Sequence, residues 1–138
     1  TIANRFQFGY SNPNGQTWHL VNTSTGIQAN IHQASSTNNQ VASSLISKSP
    51  LTLGVWTHLV MTFDGTTHKL YINGVLAESR LAGIKLNTSG TSGISIGESN
   101  QANGYWFPFN GKIDDFGLWN RALTDSEIYY LFTQGNIF

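Results

Sequence analysis

The sequence predicts an all-β sandwich carrying one short C-terminal helix, and three observations predict it. Short segments alternate apolar and polar residues with a period of two, the pattern of a half-buried strand. Turn signals built on Gly and Asn separate those segments at roughly 8–12-residue intervals, the spacing of sandwich strands. A single helical pattern with its own start and stop signals stands near the end of the chain.

In chain order, Arg5 to Tyr10, Trp18 to Asn22 and Ile27 to Gln33 read as short strands divided by Pro13-Asn14-Gly15 and Ser24-Thr25-Gly26. The stretch from Ala34 to Ser49 is rich in Ser, Asn and Gln, with Val41 to Ile46 as a candidate edge strand. Leu59, Met61 and Phe63 then alternate with His58, Val60 and Thr62, Asp64-Gly65 supplies a turn, and Lys69 to Ile72 forms the next strand. Asn73-Gly74 is the strongest two-residue hairpin signal, and Val75 to Ser79 returns beside its predecessor, which completes a three-stranded meander. Gly93 to Gly97 and Gly111 to Trp119 read as late strands joined by the loop Glu98 to Asn110. Thr124 with Glu127 fits a capping box, Ile128, Leu131 and Phe132 share a helix face, and Gly135 sits at the expected C-cap.

A chain of 138 residues is near the commonest domain size, so residues 1–138 are expected to form a single domain around one core. The 4 Trp, 5 Tyr and 8 Phe supply ample material for it. The lack of Cys excludes disulfides, thiolate metal sites and Cys nucleophiles. Only 10% of residues are charged, against about 25% in an ordinary domain, and the net charge is zero. A nucleic-acid partner is therefore not expected, because such binding needs clustered Lys and Arg to displace counterions. No apolar run is long enough for a membrane span, so no membrane insertion is expected. Thr1 opens the chain with neither Met nor a charged-then-apolar leader, the pattern of a mature product or an excised piece. Ser, Thr, Asn, Gly and Gln make up 63 of the 138 residues. Such neutral polar surfaces are common among secreted adhesins, lectins and virion proteins, so the expected location is extracellular or at the cell surface, with a virion as the alternative.

Five spaced motifs carry a resemblance to a known family. They are Gly54-Val55-Trp56-Thr57-His58-Leu59-Val60, Phe63-Asp64-Gly65, Leu70-Tyr71-Ile72-Asn73-Gly74, Ile94-Ser95-Ile96-Gly97, and Gly111 to Thr124 followed by Glu127-Ile128. Their order and spacing over Gly54 to Leu131 resemble the laminin G-like family of the concanavalin A-like superfamily. The resemblance implies an antiparallel jelly-roll sandwich and assigns Trp56, His58, Tyr71 and Trp119 mainly to the scaffold. The family's usual opening strands are not recognised ahead of Thr1. They are expected either to be missing or to be donated by a neighbouring chain, since an open sheet edge invites pairing.

Catalysis is not expected. Glycoside hydrolases on such sandwiches carry paired carboxylates about 5 Å apart on one strand face, whereas Lys112 and Gly117 stand where those groups are needed. Adjacent Asp114 and Asp115 point to opposite faces of a strand. His19, His32, His58 and His68 show no metalloprotease spacing, and no nucleophile elbow is present.

Ligand binding has better material. Sugar recognition needs an aromatic plate flanked by amides and carboxylates, and Glu98, Asn100, Asn103, Tyr105 and Trp106 supply them within one loop. The competing reading tucks Trp106 to Phe109 under the sheet. Trp18 with His19 is a second candidate pair. The resemblance also implies a structural Ca²⁺ with Asp114 as a ligand, against the reading that Asp114 caps a turn or pairs with Arg121. The expected function is a non-catalytic carbohydrate-binding or adhesion module, its partner a glycan or a surface protein. The alternative is a structural protein–protein interaction module of a virion, fibre or extracellular filament, with a homo-oligomer or strand donation completing its sheet.

Overall fold

The computed structural model describes residues 7–12, 15–33, 41–86, 94–97 and 109–135. Eight strands occupy Gln7–Asn12 (β1), Gly15–Thr23 (β2), Gly26–His32 (β3), Val41–Ile46 (β4), Leu59–Phe63 (β5), Thr67–Ile72 (β6), Val75–Leu81 (β7) and Ile94–Ile96 (β8), and one helix spans Asp125–Gln134 (α1). They form two antiparallel sheets, one ordered β4-β3-β2-β1-β8 and the other β5-β6-β7. The predicted meander is β5, β6 and β7, and the predicted edge strand Val41 to Ile46 is β4, at the rim of the larger sheet.

Local chemistry explains the hairpins. Asn73 (φ 51°) and Gly74 (φ 75°) both take positive φ, as a two-residue type I′ turn requires. The Asn73 side chain accepts from the His58 amide at 3.0 Å while its own amide donates to the His58 carbonyl at 2.8 Å, so the turn also clamps the entry to β5. Asp64 Oδ1 accepts from the amides of Thr66 and Thr67 and closes the β5–β6 turn. At the start of β3, Gly26 allows the β4 exit to come close: a Cβ there would sit 1.7 Å from the Ser47 carbonyl oxygen. That approach lets the Ser47 amide donate to the Ile27 carbonyl and Ser47 Oγ accept from the Ile27 amide.

The pleat then sorts the side chains into two cores. Leu20, Ile27, Ala29 and Leu45 from the larger sheet meet Leu70 of β6, with Leu59, Met61 and Ile72 packed around them. This is the sandwich interior. On the opposite face of β6, Tyr71 packs with Leu123 and Ile128, and Trp119, Val60 and Leu131 close the second core. α1 therefore lies on the outside of the smaller sheet. Its start has the predicted capping box, with Thr124 Oγ1 accepting from the Glu127 amide and the Glu127 carboxylate accepting from the Thr124 amide. Ile128, Leu131 and Phe132 face the sheet as the spacing predicts, and Phe132 lies against Gly74.

Two expectations need correction. Gly111 to Trp119 does not form a regular strand: Asp115 takes a φ of 54°, which breaks the alternation. Trp56 does not fill the core either. It is 64% exposed beside Leu53 and Val55 in a loop that turns at Gly54, ahead of β5, which begins only at Leu59.

Candidate functional site

The loop favoured for ligand binding is anchored at both ends. The chain leaves β8 at Gly97 (φ 81°) and returns at Phe109, whose amide donates to the Gly97 carbonyl at 2.7 Å. Phe109 packs against the interior core, so both roots of the loop sit on the edge of the larger sheet. Glu98, Asn100, Asn103, Tyr105 and Trp106 lie outside the described residues.

Asp114 is exposed, and its Oδ1 accepts from the Asp115 amide at 2.9 Å, which is the turn-capping role. Arg121 is not its partner. The guanidinium forms two bonds to Glu127, at 2.6 and 2.9 Å, and with the bonds from Thr124 holds that carboxyl at about 2. Calcium takes six to eight oxygens, and the described residues hold no group of three or more His, Asp or Glu that could supply them. Asp114 alone does not make such a shell.

The four histidines separate into three environments. Trp18 and His19, suggested as a pair, are adjacent on β2 and so project to opposite faces: Trp18 lies opposite Ile31 on the interior side, His19 opposite Asn30 on the outer side. His19 instead meets His32, and burial together with the His32 charge lowers its pKa to about 4. His58 is held between the Asn73 clamp and a stacked Phe132 ring, and burial lowers its pKa. His68 is fully buried, with Nδ1 3.1 Å from Ser43 Oγ. A hydroxyl bonded to an imidazole has the form of a nucleophile and its base. Here both groups are sealed between the sheets, where no substrate reaches them, and the bond serves as a tie between β4 and β6.

A concave surface that sequence reasoning did not assign lies between α1 and the segment before it. Trp119, Leu123, Tyr130 and Leu131 line it together with the Arg121–Glu127 ion pair. The only signal in the sequence was the helical spacing that places Tyr130 near Glu127. Both charged groups are engaged with each other, so the surface offers aromatic faces more readily than free hydrogen-bonding groups.

Comparison with known proteins places this geometry. A family model described as "Laminin_G_3: Concanavalin A-like lectin/glucanases superfamily" matches residues 3–129. The chain is similar to the Adhesion G-protein coupled receptor D1 of Homo sapiens, with 37% identity over 82 residues that make up 56% of this chain and 9% of the receptor. It is also similar to the 2.1 Å crystal structure of an S-layer domain-containing protein (residues 221–444) from Clostridium thermocellum ATCC 27405, with a TM-score of 0.54 and 30% identity. That alignment covers 96% of this chain and 64% of the S-layer chain, so this chain spans less than two thirds of each relative.

Proposed function

This chain belongs to the laminin G-like family of the concanavalin A-like lectin/glucanases superfamily, and from that premise we propose that it is a non-catalytic, extracellular carbohydrate-binding or adhesion module. The observation that carries the reading is the pinned loop. The Phe109 amide bonded to the Gly97 carbonyl holds the two ends of the loop together, and the eleven residues between them include Tyr105, Trp106, amides and a carboxylate, the side-chain types that sugar recognition needs. An aromatic ring stacks on the apolar face of a pyranose while amides and carboxylates bond its hydroxyls, which is binding chemistry without a leaving group or an opposed acid pair. The adhesion-receptor and S-layer relatives support an extracellular or surface setting. A calcium ion on Asp114 is a secondary part of the proposal, its remaining oxygens coming from loop carbonyls, amides and water.

A second reading, a structural protein–protein interaction module, is favoured by one specific observation. The chain is similar to an S-layer domain-containing protein, with 30% identity over an alignment that covers 96% of this chain, and a strand from a neighbouring chain or a second copy would complete the sheet of such a module.

A glycan array probed with the intact chain and with Trp106→Ala separates the two. Sugar binding that disappears in the variant supports the first reading. Silence across the array, together with concentration-dependent self-association in sedimentation, supports the second.

A further inference from the structure

The larger sheet turns two histidines toward each other on its outer face. His19 and Asn30 are paired neighbours across β2 and β3, and His32 follows Asn30 by two residues, so the pleat puts all three on one side. There His32 Nε2 lies 3.3 Å from His19 Nδ1, and His19 Nε2 lies 2.6 Å from the Asn30 side-chain amide. Asn30 and His32 are each only 3% exposed, while His19 keeps partial access to solvent.

The Asn30 amide admits two orientations, each of which assigns the His19 proton to a different ring nitrogen. With Nδ2 toward the ring, Asn30 leaves Oδ1 buried without a partner. The flipped amide presents Oδ1 to His19 Nε2–H as an acceptor, and the proton then resides on Nε2. In that orientation His19 Nδ1 keeps a lone pair directed at His32, the form that a metal ion would select. Hydrogen bonding of the remote ring nitrogen is the outer-shell arrangement that orients metal-bound imidazoles.

Distances point the same way. Two nitrogens on one tetrahedral zinc, each about 2.0–2.1 Å from the ion, stand about 3.3 Å apart and hold their ring centroids about 5.2 Å apart. The His19 and His32 centroids are 5.2 Å apart.

We propose that His19 and His32 form a two-imidazole site for a divalent late transition metal, best suited to Zn²⁺, with water or an outside donor completing the shell. Among the described residues no third His, Asp or Glu joins the pair, so two imidazoles hold the ion more weakly than the four ligands of a structural zinc. Nitrogen donors select against Ca²⁺ and Mg²⁺. The site is independent of the glycan-binding loop, and its failure would leave that reading intact.

The test uses the intact 138-residue chain, stripped with EDTA, dialysed, and titrated with ZnCl₂ by calorimetry at neutral pH. The expected result is one ion per chain, a higher Tm in Zn²⁺ but not in Mg²⁺, and at least a tenfold loss of affinity in His19→Gln and in His32→Gln. Asp114→Asn should leave the affinity unchanged, and Asn30→Ala should weaken it roughly tenfold through the lost outer-shell bond. If a histidine variant fails to fold, zinc-induced shifts in the imidazole spectrum of the unaltered chain decide the matter, since only His19 and His32 should move. Absence of stoichiometric binding, survival of binding in both variants, or shifts confined to other histidines would overturn the site.

Discussion

His68 Nδ1 lies 3.1 Å from Ser43 Oγ, and this buried bond joins β6 to β4 across the sandwich interior. It is a polar link inside an otherwise apolar layer, and it makes the two-sheet arrangement sensitive to acid. Burial, assisted by the positive charge of Arg80, lowers the His68 pKa from 6.5 to about 4. Between those values the unfolded chain binds a proton that the folded chain refuses, so stability is full above about 6.5 and falls as pH drops toward 4. Melting curves between pH 7.5 and 4 should therefore show a falling Tm. His68→Gln, which keeps a hydrogen-bonding group for Ser43 but cannot titrate, should flatten the slope; an unchanged slope would remove His68 as a source of acid sensitivity.

The helix is held to the sheet by bonds of unequal value. Tyr71 donates to Asp125 Oδ1 at 2.6 Å from a buried ring, whereas Lys69 reaches the same oxygen at 3.0 Å from a more exposed position. Tyr71→Phe should cost about 1–2 kcal/mol, as expected for a bond to a charged acceptor. Lys69→Met should cost less than about 1 kcal/mol, as expected for an exposed ion pair. Chemical denaturation of the two variants checks the order.

Thr124→Ala removes the cap that accepts from the Glu127 amide and should cost about 1 kcal/mol, a shift of a few degrees in Tm. Thr124→Ser should recover most of it.

Core position outweighs residue type. Leu70 is fully buried between the sheets, and Leu70→Ala should cost about 2–5 kcal/mol. Leu53 is 83% exposed, and Leu53→Ala should lie within about 0.5 kcal/mol of the unaltered chain. Denaturant midpoints would contradict the sandwich interior if the two variants behaved alike.

The calcium proposal predicts that Ca²⁺ raises the Tm of the intact chain, that EDTA reverses the rise, and that Asp114→Asn abolishes it, because an ion bound only by the folded form stabilises by mass action. No shift with Ca²⁺ would remove Asp114 as a ligand.

Much of the fold was legible because its signals are local. Asn73-Gly74 demands a turn wherever it stands, and Thr124 with Glu127 caps a helix without help from distant residues. Gly111 to Trp119 misled for a different reason: its alternation describes a side-chain pattern, while the positive φ at Asp115 interrupts the extended backbone that the pattern assumes. Trp18 and His19 were adjacent in sequence and yet fall on opposite faces, whereas His19 and His32, thirteen residues apart, are brought together by the β2–β3 register. That register also explains why the Ser43–His68 tie escaped notice, since it crosses between sheets whose relative placement no local pattern specifies.

Catalysis and recognition leave different products, so one incubation tests the functional account most directly. A glycan selected from the array is mixed with the intact chain, with Trp106→Ala and with Asp115→Asn, and bound glycan and its recovered mass are measured together. The account predicts intact glycan throughout, at least a tenfold loss of binding in Trp106→Ala and none in Asp115→Asn. Cleaved glycan whose release depends on Asp115, or binding that ignores Trp106, would contradict it.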